Sequence, residues 1–120
     1  MNRIRQFMRS LSCAARGLAY ALRHESNFQN ELAFSVLVVS AMFYYHVTRS
    51  EMIVLFLVIM VVLIMELMNT VVERVADILK PRVHPYVRLI KDLMAASVLV
   101  ASIFAVIIGL IIFVPYIIAK

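Results

Sequence analysis

A single cysteine in 120 residues is the first shortage. Cys13 has no second thiol within the chain, so an intramolecular disulfide framework is excluded, and no Cys/His group has zinc-ligand spacing. Glycine is almost as scarce. Gly17 and Gly109 are the only two, which excludes a P-loop or any other glycine-rich phosphate cradle. Charge is sparse too: 16% of residues are charged and 64% are apolar. Soluble chains are typically about 45–50% apolar, so a water-soluble globule is not expected. The length suits one small domain with no separate soluble module, and no internal repeat or low-complexity tract is present.

What the chain does have is long uncharged runs. Leu93 to Ala119 is 27 residues without a charge, enough for a transmembrane helix at roughly 20 residues per span. Leu32–Tyr45 and Met52–Met65 are uncharged runs of 14 residues each, which become spans if their polar neighbours sit at an interface or inside a bundle. Ahead of them, Ile4, Phe7, Met8, Leu11, Ala15, Leu18 and Leu22 recur at helical spacing. Arg5, Arg9, Arg16 and Arg23 fall on the opposite side. That pattern predicts an interfacial helix on anionic headgroups rather than a nucleic-acid-binding arm. The arginines interrupt any apolar core of signal-peptide length, so the N-terminus is expected to be retained.

The expected fold is therefore an all-α membrane protein: a surface helix at about 3–24, then transmembrane helices near 30–47, 51–72 (continuing to about 79) and 93–117. Lys80-Pro81 and His84-Pro85 should end the second of these spans, because proline cannot continue the hydrogen-bond ladder. Five arginines precede the first span and Arg49 alone lies in the first loop. Arg74, Lys80, Arg82, Arg88 and Lys91 gather around the second loop, and Lys120 ends the chain. The positive-inside rule then puts the N-terminus and the second loop in the cytoplasm and the C-terminus outside. Tyr44, Tyr45 and Tyr116 read as aromatic anchors at the outer boundary, and His24 and His46 as interface residues.

Chemistry concentrates at the end of the middle span. Glu66, Asn69, Glu73 and Asp77 are spaced by three, four and four residues, so they share a helical stripe about 80° wide. An acid at the centre of a spanning helix costs on the order of 3 kcal/mol, and such groups face a bundle interior or an aqueous cavity. Glu66 should sit deepest and Asp77 at the cytoplasmic surface. Glu25, Glu31, Lys91 and Asp92 lie at the same rim. Six carboxylates, one amide and several cations at one depth suit Mg²⁺ with a polyphosphate. Polar contact between helices, with Arg74 or Lys91 as partners, is the plainer alternative for any one of these side chains.

Glu66-Leu67-Met68-Asn69-Thr70-Val71-Val72-Glu73-Arg74-Val75-Ala76-Asp77 resembles the E-x-x-N-[ST]-x-x-E-x-x-x-D signature of the small prokaryotic diacylglycerol kinase and undecaprenol kinase family. Glu25-Ser26-Asn27-Phe28, His84-Pro85, Lys91-Asp92 and Gly109 to Pro115 extend the resemblance over nearly the whole chain, the last of them toward the undecaprenol kinase branch. Val71 and Ala76 depart from the family pattern in size, and Met94 stands in a run that is usually small and contains glycine. The resemblance implies a homotrimeric kinase of the bacterial inner membrane, with sites shared between neighbouring chains. It further implies that Glu66 is the general base on a lipid alcohol, that Glu25 and Glu73 carry Mg²⁺, and that Asn69 and Lys91 orient the phosphates of ATP. Asp77 and Asp92 would close the nucleotide site, and Glu31 and His84 would line its outer part.

Undecaprenol is the first expected substrate and diacylglycerol the second. Two other classes of function fit the intramembrane acids less fully. A small oligomeric ion or proton conductor would use Glu66, Asn69 and Glu73 as a pore lining. It leaves the rim of Glu25, Asp77, Lys91 and Asp92 unexplained. A noncatalytic membrane scaffold would use the stripe only for helix packing.

Overall fold

A computed structural model describes residues 2–79 and 85–119, and its regular elements there are all helices. They are α1 (Arg3–His24), α2 (Ser26–Tyr45), α3 (Arg49–Ile78) and α4 (Pro85–Ala119). Each begins where local chemistry permits. Asn2 caps α1 by accepting from the Ile4 amide at 2.9 Å, which satisfies one of the orphan donors of a helix start. Thr48 caps α3 through a reciprocal box: its hydroxyl accepts from the Glu51 amide at 3.2 Å, and the Glu51 carboxylate accepts from the Thr48 amide at 3.0 Å. Pro85 occupies the first position of α4, where a missing N–H is no loss.

The helices run past the apolar stretches in places and stop short of them in others. α4 starts at Pro85 rather than near residue 93, so Lys91 and Asp92 lie inside the helix instead of opening it. Hydropathy marks what lipid tolerates, whereas the backbone ladder continues through polar residues until a proline or a cap stops it. α2 ends at Tyr45 rather than residue 47, because His46 turns into the left-handed region at φ 53°. Histidine tolerates that conformation better than bulky or β-branched residues do, and here it takes the C-cap place usual for glycine. Pro115 sits within α4 close to its end, where the lost hydrogen bond interrupts only the last turn or so.

α3 is the central element, packed against both α4 and α2, while α1 packs on α2. At the α2–α3 turn, Met42, Val47, Leu55 and Ile112 form a buried apolar cluster. Tyr116 of α4 donates a hydrogen bond to the Glu51 carboxylate, and the Tyr45 ring lies 6.1 Å from Tyr116 and 6.2 Å from Phe113. This end of the molecule is thus tied by side chains from all three long helices. Elsewhere most apolar surface is left uncovered by the chain itself: Phe34, Leu37, Phe43, Leu99 and Ile111 are each more than half exposed. The apolar row of α1 from Ile4 to Leu22 is likewise exposed.

Among the described helices, α3 and α4 are long and apolar enough to cross a membrane. α2 falls short of that measure because Asn27, Gln29, Asn30 and Glu31 fill its first two turns. His84, together with Lys80 to Val83, lies outside the described residues.

The Thr48 hydroxyl cap should contribute about 1 kcal/mol, and the Tyr116–Glu51 hydrogen bond adds to the stability of the same end. Thr48→Ala and Tyr116→Phe are each expected to lower the melting temperature in detergent by a few degrees, as followed by the helical circular dichroism signal.

Candidate active site

The buried face of α3 consists of Leu55, Val62, Glu66, Asn69 and Ala76. Steps of three, four and seven residues keep them on one seam. Its first half is hydrocarbon and its second half is polar. Glu66 is 5% exposed and Asn69 9%, whereas Glu73 is half-buried and Asp77 exposed. Burial therefore falls along the stripe toward the α3 C-terminus, over a rise of about 16 Å from Glu66 to Asp77.

Glu66 is poorly compensated. Among the described residues, neither its carboxylate nor the Asn69 amide has a hydrogen-bond or ion-pair partner. The charges felt at Glu66 are instead those of other acids: Glu31 first, then Glu73 and Glu25. Glu66 thus lies within electrostatic range of three other acids, carried by α3, the start of α2 and the α1–α2 junction. Burying like charges together is unfavourable unless a cation is supplied or protons are held.

Glu25 and Glu31 are placed by the entrance to α2. Glu25 is the single residue between α1 and α2: its amide donates to the Ala21 carbonyl and its carbonyl accepts from the Gln29 amide, both at 3.0 Å. It therefore closes one helix and opens the next. The Gln29 side chain fastens the joint by donating to the Leu22 carbonyl at 2.8 Å. Phe28, 3% exposed, anchors the turn between the two acids. Glu31 is half-buried and stands at one end of an apolar cleft of about 360 Å³ between α2 and α4, floored by Leu55, Ile59 and Val62 of α3.

The remaining candidates divide into paired and unpaired groups. Arg74 donates to Glu25 at 3.3 Å and lies 3.7 Å from Asp77, and Lys91 of α4 lies 3.9 Å from Asp77. Polar contact between helices is thus realised for Asp77 and not for Glu66. Asp92 is exposed and has no ion-pair partner among the described residues, and Glu73 has none there either. His84 lies outside them. Arg74 stands out as the side chain that links the α1–α2 junction to α3. The sequence already offers it, with Lys91, as a partner for polar contact between helices, but not with Glu25 as the acid it reaches.

Among the described residues no three His, Cys, Asp or Glu side chains converge into a ready-made metal cage. Mg²⁺ does not require one. It commonly takes one or two carboxylates and completes its shell with waters and substrate phosphates. Glu25 and Glu73, hard oxygen donors beside an excess of negative charge, fit that use.

A sequence profile of the family described as prokaryotic diacylglycerol kinase matches residues 12–113, which includes the α1–α2 junction, the whole α3 stripe and most of α4. The chain belongs to the prokaryotic diacylglycerol kinase family. Within this family it is 33% identical over 114 residues to an undecaprenol kinase of Bacillus subtilis, a match covering 95% of this chain and 93% of the relative. It is also 35% identical over 94 residues to a diacylglycerol kinase of Synechocystis, covering 78% of this chain and about half (54%) of that relative. As a member of the prokaryotic diacylglycerol kinase family the chain is a lipid kinase, and with its two long apolar helices it is a membrane protein.

Phe28→Ala should cost on the order of 3 kcal/mol, since an aromatic ring is lost from a buried site. The variant is expected to melt at lower temperature and to lose kinase activity more steeply than the drop in folded fraction, because Glu25 and Glu31 both depend on that turn.

Proposed function

We propose that the chain is an ATP- and Mg²⁺-dependent kinase that phosphorylates the primary alcohol of a membrane lipid, with undecaprenol as substrate and Glu66 as general base. The observation that carries this reading is Glu66, a largely buried residue whose carboxylate oxygens keep some accessible surface, have no partner among the described residues and feel the charges of three further acids. Such an arrangement is expensive to keep and has a use if an alcohol proton and a cation are to be accommodated there.

In this reading the Glu66 carboxylate takes the proton of the lipid hydroxyl as its oxygen bonds to the γ-phosphorus of ATP. The bond from that phosphorus to the β–γ bridging oxygen breaks, and ADP leaves. Phosphoryl transfer asks mainly for alignment and charge neutralisation, so an acid-lined site can serve without a glycine-rich loop. Asn69 and Lys91 would orient phosphate oxygens, Asp77 and Asp92 would border the nucleotide, and Glu31 and His84 would line its outer part. Glu25 and Glu73 would hold Mg²⁺, which when bound neutralises phosphate charge. The apolar cleft bordered by Glu31 is lined mainly by hydrocarbon side chains and would suit a lipid chain, which supports this reading.

The same reading takes α2, α3 and α4 as three spans of a bacterial inner membrane, with α1 on its cytoplasmic face. It also takes the protein as a homotrimer. Three helices enclose little interior, and neighbouring copies would cover Glu73 and Asp77, the less buried acids of the α3 stripe. Undecaprenol is favoured by the relative that matches along almost its full length. Diacylglycerol is the second reading, favoured by the relative of slightly higher identity over a shorter region.

Glu66→Gln is expected to lower kcat by at least about 100-fold, as loss of a general base does, with the helical signal retained. The assay is transfer of labelled phosphate from ATP to undecaprenol in mixed micelles, and unchanged turnover would remove Glu66 from the chemistry. Offering both alcohols to the wild-type protein decides the substrate. A higher kcat/KM is expected for undecaprenol, and the reverse order would make diacylglycerol the substrate.

A further inference from the structure

Arg74 is the one cation among the described residues in ion-pair contact with any of the three acids whose charges are felt at Glu66. It reaches from α3 to a residue 49 positions earlier in the chain. Its Nη2 lies 3.3 Å from Glu25 Oε2 and its Nη1 lies 3.7 Å from Asp77 Oδ2. Lys91 holds the other oxygen of Asp77, at 3.9 Å. The result is an alternating chain of Glu25, Arg74, Asp77 and Lys91, with Glu25 the most buried member and Arg74 half-exposed.

The guanidinium bonds to Oε2 of Glu25 and neutralises the single charge that a metal ion on the same carboxylate would draw on, so the two cations compete electrostatically for Glu25 even though Oε1 has no partner among the described residues. We infer that Arg74 is a built-in counter-ion: its guanidinium holds Glu25 while no divalent cation is bound and gives it up when one arrives. This rests on the metal-site reading of Glu25 given above and goes beyond it by assigning a function to Arg74. The exchange is cheap because the pair is partly solvated. An exposed guanidinium–carboxylate contact is weak, whereas a divalent ion neutralises twice the charge. The displaced guanidinium keeps Asp77 within reach and projects toward the rim where a polyphosphate would lie. Arg74 is thus a positioning residue, and its first effect is on metal affinity in the absence of nucleotide.

The test is Mn²⁺ binding, read by electron paramagnetic resonance on full-length protein in nanodiscs of zwitterionic lipid without ATP. Anionic headgroups, which bind the ion themselves, are avoided. Arg74→Gln is expected to bind Mn²⁺ about three- to ten-fold more tightly than the wild type, the range that removal of a weak competing pair allows. Arg74→Met, which keeps the aliphatic stem, carries the same expectation and stands in if the Gln variant folds poorly. Arg74→Lys, which restores a positive charge, should return the affinity toward the wild-type value. Simple loss of structure would weaken metal binding, so tighter binding separates the counter-ion role from a scaffolding one. Equal or weaker Mn²⁺ binding by the Gln and Met variants, with wild-type binding that is sensitive to Glu25→Gln, overturns this inference and leaves the kinase reading standing. Absence of Mn²⁺ binding by the wild type overturns this inference together with the reading of Glu25 as a metal ligand in the nucleotide-free protein, and leaves lipid phosphorylation to its own assay.

Discussion

The arrangement turns on one carboxylate placed where hydrocarbon would otherwise be. Glu66 continues the seam that Leu55 and Val62 begin, and it is as buried as they are. A charge in that position carries a desolvation cost of several kcal/mol unless something offsets it. Nothing among the described residues does so directly, and the nearest charges have the same sign. Local stability therefore gives no reason for Glu66, and the rest of the polar machinery makes sense as what surrounds it. A fold that keeps such a group sacrifices stability at one place and must regain it elsewhere.

Where it is regained is visible on the same helix. Glu51 and Glu66 are identical side chains about four turns apart on α3. Glu51 accepts hydrogen bonds from the Thr48 amide and from the Tyr116 hydroxyl, beside an apolar cluster shared by α2, α3 and α4. Glu66 lacks every such partner among the described residues. The α2–α3 turn is the end of the molecule where side chains from α2, α3 and α4 satisfy one another, and the other acids and Arg74 lie toward the opposite end.

The end that carries these acids is assembled from segments far apart in sequence. Glu25 belongs to neither α1 nor α2 but joins them, so any movement of the amphipathic helix moves a carboxylate of the site. Arg74 then ties that joint to α3, and Lys91 ties α3 to α4 through Asp77. These contacts are long and half-solvated, a few tenths to about 1 kcal/mol each, and are easily exchanged for a stronger cation. In the proposed reading, weak ion pairs of this kind would part more readily for a charged nucleotide than tight ones.

Much of this was written in local spacing. The apolar and arginine periodicity of residues 3–24 dictated an amphipathic helix, and the three–four–four spacing dictated that Glu66, Asn69, Glu73 and Asp77 share a face, because both follow from the geometry of one helix. The Thr48-x-x-Glu51 capping box was equally legible, although hydropathy alone drew attention away from it. His46 in the left-handed region carried no comparable signal, since glycine is the usual residue there. What only the tertiary structure decided is which stripe members are sealed and which are paired: Glu66 without a partner among the described residues, Asp77 between Arg74 and Lys91, Glu25 held by Arg74, Tyr116 reaching Glu51. Spacing within a helix is set by the backbone ladder, but the meeting of residues 49 or 65 positions apart depends on how whole helix faces pack, which no local pattern encodes.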